Sequence, residues 1–114
     1  MSDCLFCKIG SGQIPAKVVM QDDEVLAFDD INPQAPVHVL VIPKRHVVAL
    51  NEAGAGDQAL LGRLLEAAAL VARKKGIAEA GYRVVANQGR DGGQTVFHLH
   101  LHVLGGRPMA WPPG

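Results

Sequence analysis

Apolar and polar positions change their period several times along this chain, and each change marks an element. The clearest period is helical: Leu60, Leu61, Leu64, Leu65, Ala68, Val71 and Ala72 recur every three or four residues, giving one broad apolar face. Asp57 is placed to cap that helix. Arg73, Lys74 and Lys75 suit its negative C-terminal end, and Gly76 predicts its stop. Elsewhere the apolar runs are short. Residues 16–20 and 24–29 predict two strands, with the polar Gln21-Asp22-Asp23 as the hairpin turn between them. Asn32-Pro33 and Ala35-Pro36 force an irregular loop, and the β-branched run 38–42 predicts a central strand. Residues 82–87 predict another strand, 88–95 a glycine-rich loop and 96–104 a last strand. Residues 1–12 read as an N-terminal arm with a short helical turn carrying Phe6 and Ile9. Strands outnumber helices and the hairpin signals favour antiparallel pairing, so the class is α+β.

The predicted last strand carries unusual chemistry. His98, His100 and His102 alternate with Leu99, Leu101 and Val103. In an extended strand the three imidazoles share one face and the three apolar side chains share the other. Three readings compete. A buried strand with satisfied core histidines would need partners for two ring nitrogens at each of three positions. A metal site could use two neighbours, about 6.6 Å apart, with His38 or His46 as a third ligand; the outer pair, about 13 Å apart, joins less easily. Nucleophilic catalysis at phosphorus would make His100 the attacking group between two flanking imidazoles. The preceding loop, with Gly89, Gly92 and Gly93, can bring backbone N–H groups close to an anion. It is not a P-loop, because no Lys-Ser or Lys-Thr follows the glycines.

Composition narrows the classes. The chain has 114 residues, enough for one compact domain spanning 1–114. It is 48% hydrophobic and 19% charged, which argues against disorder. Eleven basic residues balance eleven acidic ones, so no general attraction for nucleic acid or an anionic membrane surface is expected. The first residues lack a basic segment followed by a long apolar run, and two cysteines are too few for a disulfide scaffold. The expected compartment is cytoplasmic. Cys4-x-x-Cys7 itself reads as two thiols, a redox pair or half a zinc site. The tail 105–114, with Pro108, Met109, Trp111, Pro112 and Pro113, is irregular yet apolar; it either packs on a second subunit or folds back on its own domain.

The run His98-Leu99-His100-Leu101-His102-Val103-Leu104 resembles the motif of the histidine-triad nucleotide-binding family, His-φ-His-φ-His-φ-φ. The resemblance extends to Ile14-Pro15-Ala16-Lys17, to the stretches 30–36 and 38–44, to Asp91-Gly92-Gly93-Gln94 and to the tail, all similar to the purine-nucleoside phosphoramidase branch. It implies two five-stranded antiparallel sheets joined in a homodimer, each subunit with one main helix and a short N-terminal helix. It implies hydrolysis of purine nucleoside phosphoramidates without a catalytic cofactor, through a nucleotidyl-histidine on His100. Position by position, His102 and His38 match phosphate-site histidines, and Thr95 stands where relatives commonly have serine near the leaving group. Asp30 matches a ribose-binding carboxylate, and Ile31 and Phe6 match residues around the purine. Asn87, Gly93, Gln94 and the backbone at Val96 match the phosphate-binding set. The tail is implied to approach the partner's active site. Similar proteins with a Cys-x-x-Cys pair complete a structural zinc site with two histidines, which here implies Cys4, Cys7, His46 and His98. Alternatives are a dinucleoside polyphosphate hydrolase and a nucleotide-binding regulatory or scaffold protein.

Overall fold

A computed structural model describes residues 3–114; the first two residues of the expected N-terminal arm lie outside the described residues. The chain forms α1 (Leu5–Gly10), β1 (Val18–Gln21), β2 (Val25–Asp29), β3 (Val37–Pro43), α2 (Gln58–Lys74), β4 (Tyr82–Val85) and β5 (Leu101–Gly105). Two short 3-10 turns, Leu50–Glu52 and Ala55–Asp57, lead into α2. All neighbouring strands pair antiparallel, in the order β1-β2-β3-β5-β4.

Alternation along the strands divides the sheet into two apolar faces. On one, Val25, Ala27, Val39, Val41, Leu101 and Val103 pack against Leu60, Leu64, Ala67, Ala68, Val71 and Ala72 of α2. Leu65, expected on that helical face, is instead 57% exposed, because the buried stripe is narrower than the sequence period alone marks. On the other face, Leu26, Phe28, Leu40 and Ile42 pack with Phe6 of α1. The histidines lie on this second face.

Two local expectations need correction. Asp57 occupies the N-cap position but its side chain does not cap α2. Its Oδ2 accepts from the Gly54 N–H of the preceding turn at 2.9 Å, and its Oδ1 accepts from Arg45. The expected strand 96–104 is paired only over Leu101–Gly105. Pairing with β3 stops at Val41 and Leu101, although β3 itself runs on to Pro43, because the backbone upstream of Leu101 turns to other partners. The Leu99 N–H goes to the Val47 carbonyl at 2.6 Å instead, and the Pro43 carbonyl accepts from the His98 ring. The Leu99 N–H and the His98 carbonyl, which accepts from the His100 ring, are thus satisfied without a ladder. Leu99 still joins the α2 side, so alternation of the side chains survives the loss of strand pairing.

The hairpin forms between the two expected strands, but its turn lies at Asp22–Glu24, because Gln21 still pairs with Leu26 as the last residue of β1. Asp22 Oδ1 accepts from the Glu24 and Val25 N–H groups at 2.8 and 2.9 Å, and Oδ2 is held by Arg63 of α2. The Arg63 bond and these backbone donors hold the Asp22 carboxyl down at about 2.

Candidate active site

His100 is buried, and its orientation is fixed by backbone. Its Nδ1 lies 2.7 Å from the His98 carbonyl oxygen. A carbonyl only accepts, so Nδ1 carries the proton and the neutral ring keeps its lone pair on Nε2. Phe6 packs edge-on against this imidazole with centroids 5.2 Å apart, and the His102 ring lies 4.9 Å away.

His38 and His102 form a second pair with an equally defined proton pattern. The Gln34 N–H donates to His38 Nδ1 at 3.0 Å, so neutral His38 carries its proton on Nε2. That nitrogen lies 2.9 Å from His102 Nδ1, which therefore accepts, and His102 holds its own proton on Nε2. Burial lowers the pKa of His102 to about 4, helped by neighbouring His100 and His38. Burial also lowers that of His38, outweighing the pull of Asp30, whose Oδ2 lies 3.5 Å from His38 Nε2.

Beside these rings a cleft of about 800 Å³ is lined by Leu5, Phe6, Ile9, Phe28, Leu40 and Val96, with Lys17, Asp30 and Ile31 along its rim. Ile31 is fully exposed. Asp30 is steadied by the turn that follows it: its Oδ1 accepts from Asn32 N–H at 2.8 Å, and its own N–H bonds the His38 carbonyl at 2.9 Å. An apolar slot with acidic acceptors at its edge suits a flat aromatic base joined to a hydroxyl-bearing ring.

The expected phosphate-binding residues are spread more widely. Asn87 follows the end of β4, and Gly93 sits in the turn after it, its N–H bonded to the Arg90 carbonyl. Gly92 is required there by close approach: a Cβ would lie 2.4 Å from the Gln88 carbonyl oxygen. The Gln94 side chain is spent inside the loop, donating to the Val48 and Val96 carbonyls and accepting from Gly89 N–H. Thr95 is exposed and lines a neighbouring hollow with Cys4, Leu5, His46, Val48 and Val96, so it is not among the residues lining the apolar cleft.

Cys4, Cys7, His46 and His98 converge at the end of α1, their ligand atoms all within 4.8 Å of one another. His98 Nδ1 lies 3.3 Å from Cys4 Sγ and 3.5 Å from Cys7 Sγ, and His46 Nδ1 lies 3.2 Å from Cys7 Sγ. The His98 Nε2 proton goes to the Pro43 carbonyl at 2.7 Å, so the lone pair faces the sulfurs. Bonds of about 2.0–2.3 Å to a tetrahedral zinc imply ligand atoms about 3.3–3.8 Å apart, and this donor set fits.

Sequence reading missed Arg83 and Arg107. Arg83 donates to the Ala110 carbonyl at 2.8 Å, with its guanidinium 5.8 Å from the centre of the Trp111 ring. Arg107 donates to the Gln34 carbonyl at 3.0 Å. The tail thus folds back on its own domain at both points, although Trp111 remains 81% exposed. No pattern marks an arginine whose partner is a distant backbone carbonyl.

Residues 11–109 match the HIT domain. An uncharacterized HIT-like protein of Synechococcus elongatus is 56% identical over 98% of this chain and 97% of its own length. The adenylylsulfatase HINT1 of Arabidopsis thaliana is 51% identical over 99% of this chain and 78% of its own. The purine nucleoside phosphoramidase of Escherichia coli is 48% identical over 94% and 90%. The crystal structure of a HIT family hydrolase from Legionella pneumophila superposes with a TM-score of 0.96 at 53% identity, over 98% of this chain and 100% of that one. With the HIT domain spanning most of its length and these identities holding nearly end to end, the chain belongs to the HIT domain family.

Proposed function

We propose that this protein hydrolyses purine nucleoside phosphoramidates, with His100 as nucleophile. The observation that carries the reading is the His100 imidazole: its Nδ1 proton is committed to the His98 carbonyl, which leaves Nε2 as the attacking atom, and Phe6, packed against the same ring, lines the apolar cleft. The E. coli relative's name supports the choice of leaving group.

In the first step His100 Nε2 attacks phosphorus, a nitrogen–phosphorus bond forms, and the bond to the leaving amine breaks. The amine departs with a proton. In the second step water attacks the same phosphorus and releases a proton, replacing the one the amine took; the bond to His100 breaks, and the nucleoside monophosphate leaves. His102, with its proton on Nε2, is a donor for the phosphoryl oxygens, and His38 fixes that arrangement. Phe6 and Ile31 border the base, Asp30 accepts from ribose hydroxyls, and the loop carrying Asn87, Gly93, Gln94, Thr95 and Val96 flanks the phosphate. The reaction needs no catalytic cofactor.

Cys4, Cys7, His46 and His98 are proposed as a structural zinc site. Zinc there would tie α1 to the body of the domain as a closed four-ligand crosslink. The outer edge of β4 pairs with nothing further among the described residues, and Tyr82 and Val84 on it are exposed; a second copy joining there would complete a homodimer.

The deciding experiment incubates wild type and His100→Ala with a fluorogenic AMP-amine phosphoramidate, a dinucleoside polyphosphate and adenylyl sulfate. Turnover of the phosphoramidate by wild type alone is expected. Equal turnover by the two proteins would remove His100 from its role, and a preference for the polyphosphate or the sulfate would change the leaving group assigned.

A further inference from the structure

We propose that Arg107 is a positioning residue for the paired histidines of the active site: by holding Gln34 it fixes which nitrogens of His38 and His102 carry their protons. The kinetic part of this inference rests on the function proposed above; the structural part does not.

The connection is a continuous chain of directed hydrogen bonds. Arg107 Nη2 donates to the Gln34 carbonyl oxygen at 3.0 Å. The N–H of the same residue donates to His38 Nδ1 at 3.0 Å, and His38 Nε2 meets His102 Nδ1 at 2.9 Å. The Arg107 bond holds Gln34 in place, and the two bonds that follow set the proton positions. A donor fixed against Nδ1 of His38 leaves its proton on Nε2, and a donor against Nδ1 of His102 leaves that proton on Nε2 as well.

What holds the donor is therefore decisive. Gln34 sits in a loop interrupted by Pro33 and Pro36, neither of which has an N–H to anchor it. The loop's internal bonds run through Asn32: the Gln34 side chain donates to the Asn32 carbonyl, and Asn32 N–H reaches Asp30. From outside the loop, Arg107 bonds the Gln34 carbonyl directly. The root of the tail is pressed close at this point, since a Cβ on Gly106 would lie 2.8 Å from Pro36 Cβ. Arg107 is itself braced by its Nη1 donation to the Pro108 carbonyl at 3.1 Å. The tail root thus acts on proton placement in its own subunit, without touching the reacting atoms.

Arg107→Met keeps the apolar stem and removes the donors, and Arg107→Lys restores one donor to Gln34. Nitrogen-15 NMR of the imidazole side chains reads the proton placement directly. In wild type His38 and His102 are each expected to show an unprotonated Nδ1 and a protonated Nε2. In Arg107→Met the two nitrogens of each ring should shift toward averaged values, and Arg107→Lys should return them to the wild-type pattern. Turnover of the phosphoramidate should fall about 5- to 10-fold in Arg107→Met through kcat, with KM within about twofold, as expected for one lost hydrogen bond. A thermal melt checks that both variants are folded. Wild-type imidazole shifts in folded Arg107→Met would overturn the proposal, whatever the rate. Averaged shifts without rescue by lysine would overturn it as well. An inactive wild type would refute the proposed function and leave the NMR result to decide the role of Arg107.

Discussion

The carbonyl oxygen of His98 accepts the Nδ1 proton of His100 at 2.7 Å, so the first histidine of the triad orients the second through its backbone. The His98 side chain points its lone pair the other way, into the sulfurs of Cys4 and Cys7. One residue thus serves two neighbouring sites through two different groups. It follows that His98→Asn should impair metal binding much more than it impairs the orientation of His100. Nitrogen-15 NMR should still find His100 protonated on Nδ1 in that variant. A switch of the His100 proton to Nε2 would show that the side chain, and not the carbonyl, is the orienting group.

Phe6 stands between the two cysteines in sequence and between two rings in space, 5.6 Å from Phe28 and 5.2 Å from His100. Truncating this buried ring to alanine should cost about 3–5 kcal/mol of stability. Phe6→Leu should be milder in stability but should raise KM for the adenosine substrate about tenfold, with a smaller effect on kcat, because the lost contact is made before and during reaction alike. Urea melts and steady-state kinetics measure the two effects separately. An unchanged KM in Phe6→Leu would remove Phe6 from the base site.

The sheet was legible in the sequence because its two faces are each apolar for a local reason: alternation along the strands and a helical period in α2. The histidine strand was harder to delimit. The sequence 96–104 alternates throughout, but the pairing with β3 ends at Leu101, where the Leu99 N–H turns to the Val47 carbonyl instead. Side-chain pattern recorded which way His98 and Leu99 point; it could not record where their backbone groups bond. Cys4, Cys7, His46 and His98 were grouped by family resemblance, and the structure brings their ligand atoms together. Arg107 and Gln34 were invisible as a pair, since a guanidinium bonded to a carbonyl 73 positions away leaves no trace in either residue's identity.

Asp30 has two oxygens with different duties. Oδ1 accepts from Asn32 N–H, while Oδ2 faces His38 and the cleft rim. Asp30→Asn can retain the acceptor for Asn32 but loses the negative charge and one acceptor toward a ribose. The expected result is a KM raised by about tenfold for adenosine substrates, worth one charge-assisted hydrogen bond, with discrimination between ribose and 2′-deoxyribose reduced. Paired kinetics on the two sugars test this. Undiminished discrimination would place sugar recognition elsewhere.

Zinc binding is expected at one ion per chain. Protein prepared without metal should take up zinc with a rise in melting temperature, and Cys4→Ser with Cys7→Ser should abolish both uptake and rise. Because the four donors join α1 to the loop after β3 and to the triad, metal should also slow amide exchange across Leu5–Gly10. A metal content near zero that is unchanged by added zinc would defeat the assignment.

Acid should destabilise the fold earlier than carboxylate titration alone would predict. His102 takes its proton only near pH 4 in the folded protein, against an ordinary value of 6.5, and His38 is lowered in the same sense. Between those pH values the unfolded chain binds more protons than the folded one, so each unit of falling pH favours unfolding. The stability conferred by a neutral His102 is present above pH 6.5 and is lost as pH falls toward 4. Its size is at most about 3 kcal/mol, with less expected because the ring is only partly buried. Urea denaturation at pH 7.5, 6, 5 and 4.5 should give a progressive loss over that window. His102→Gln should flatten the slope, since glutamine keeps a hydrogen-bonding side chain and has no proton to take up. An unaltered slope in His102→Gln would mean that His102 is not the group whose protonation opposes folding.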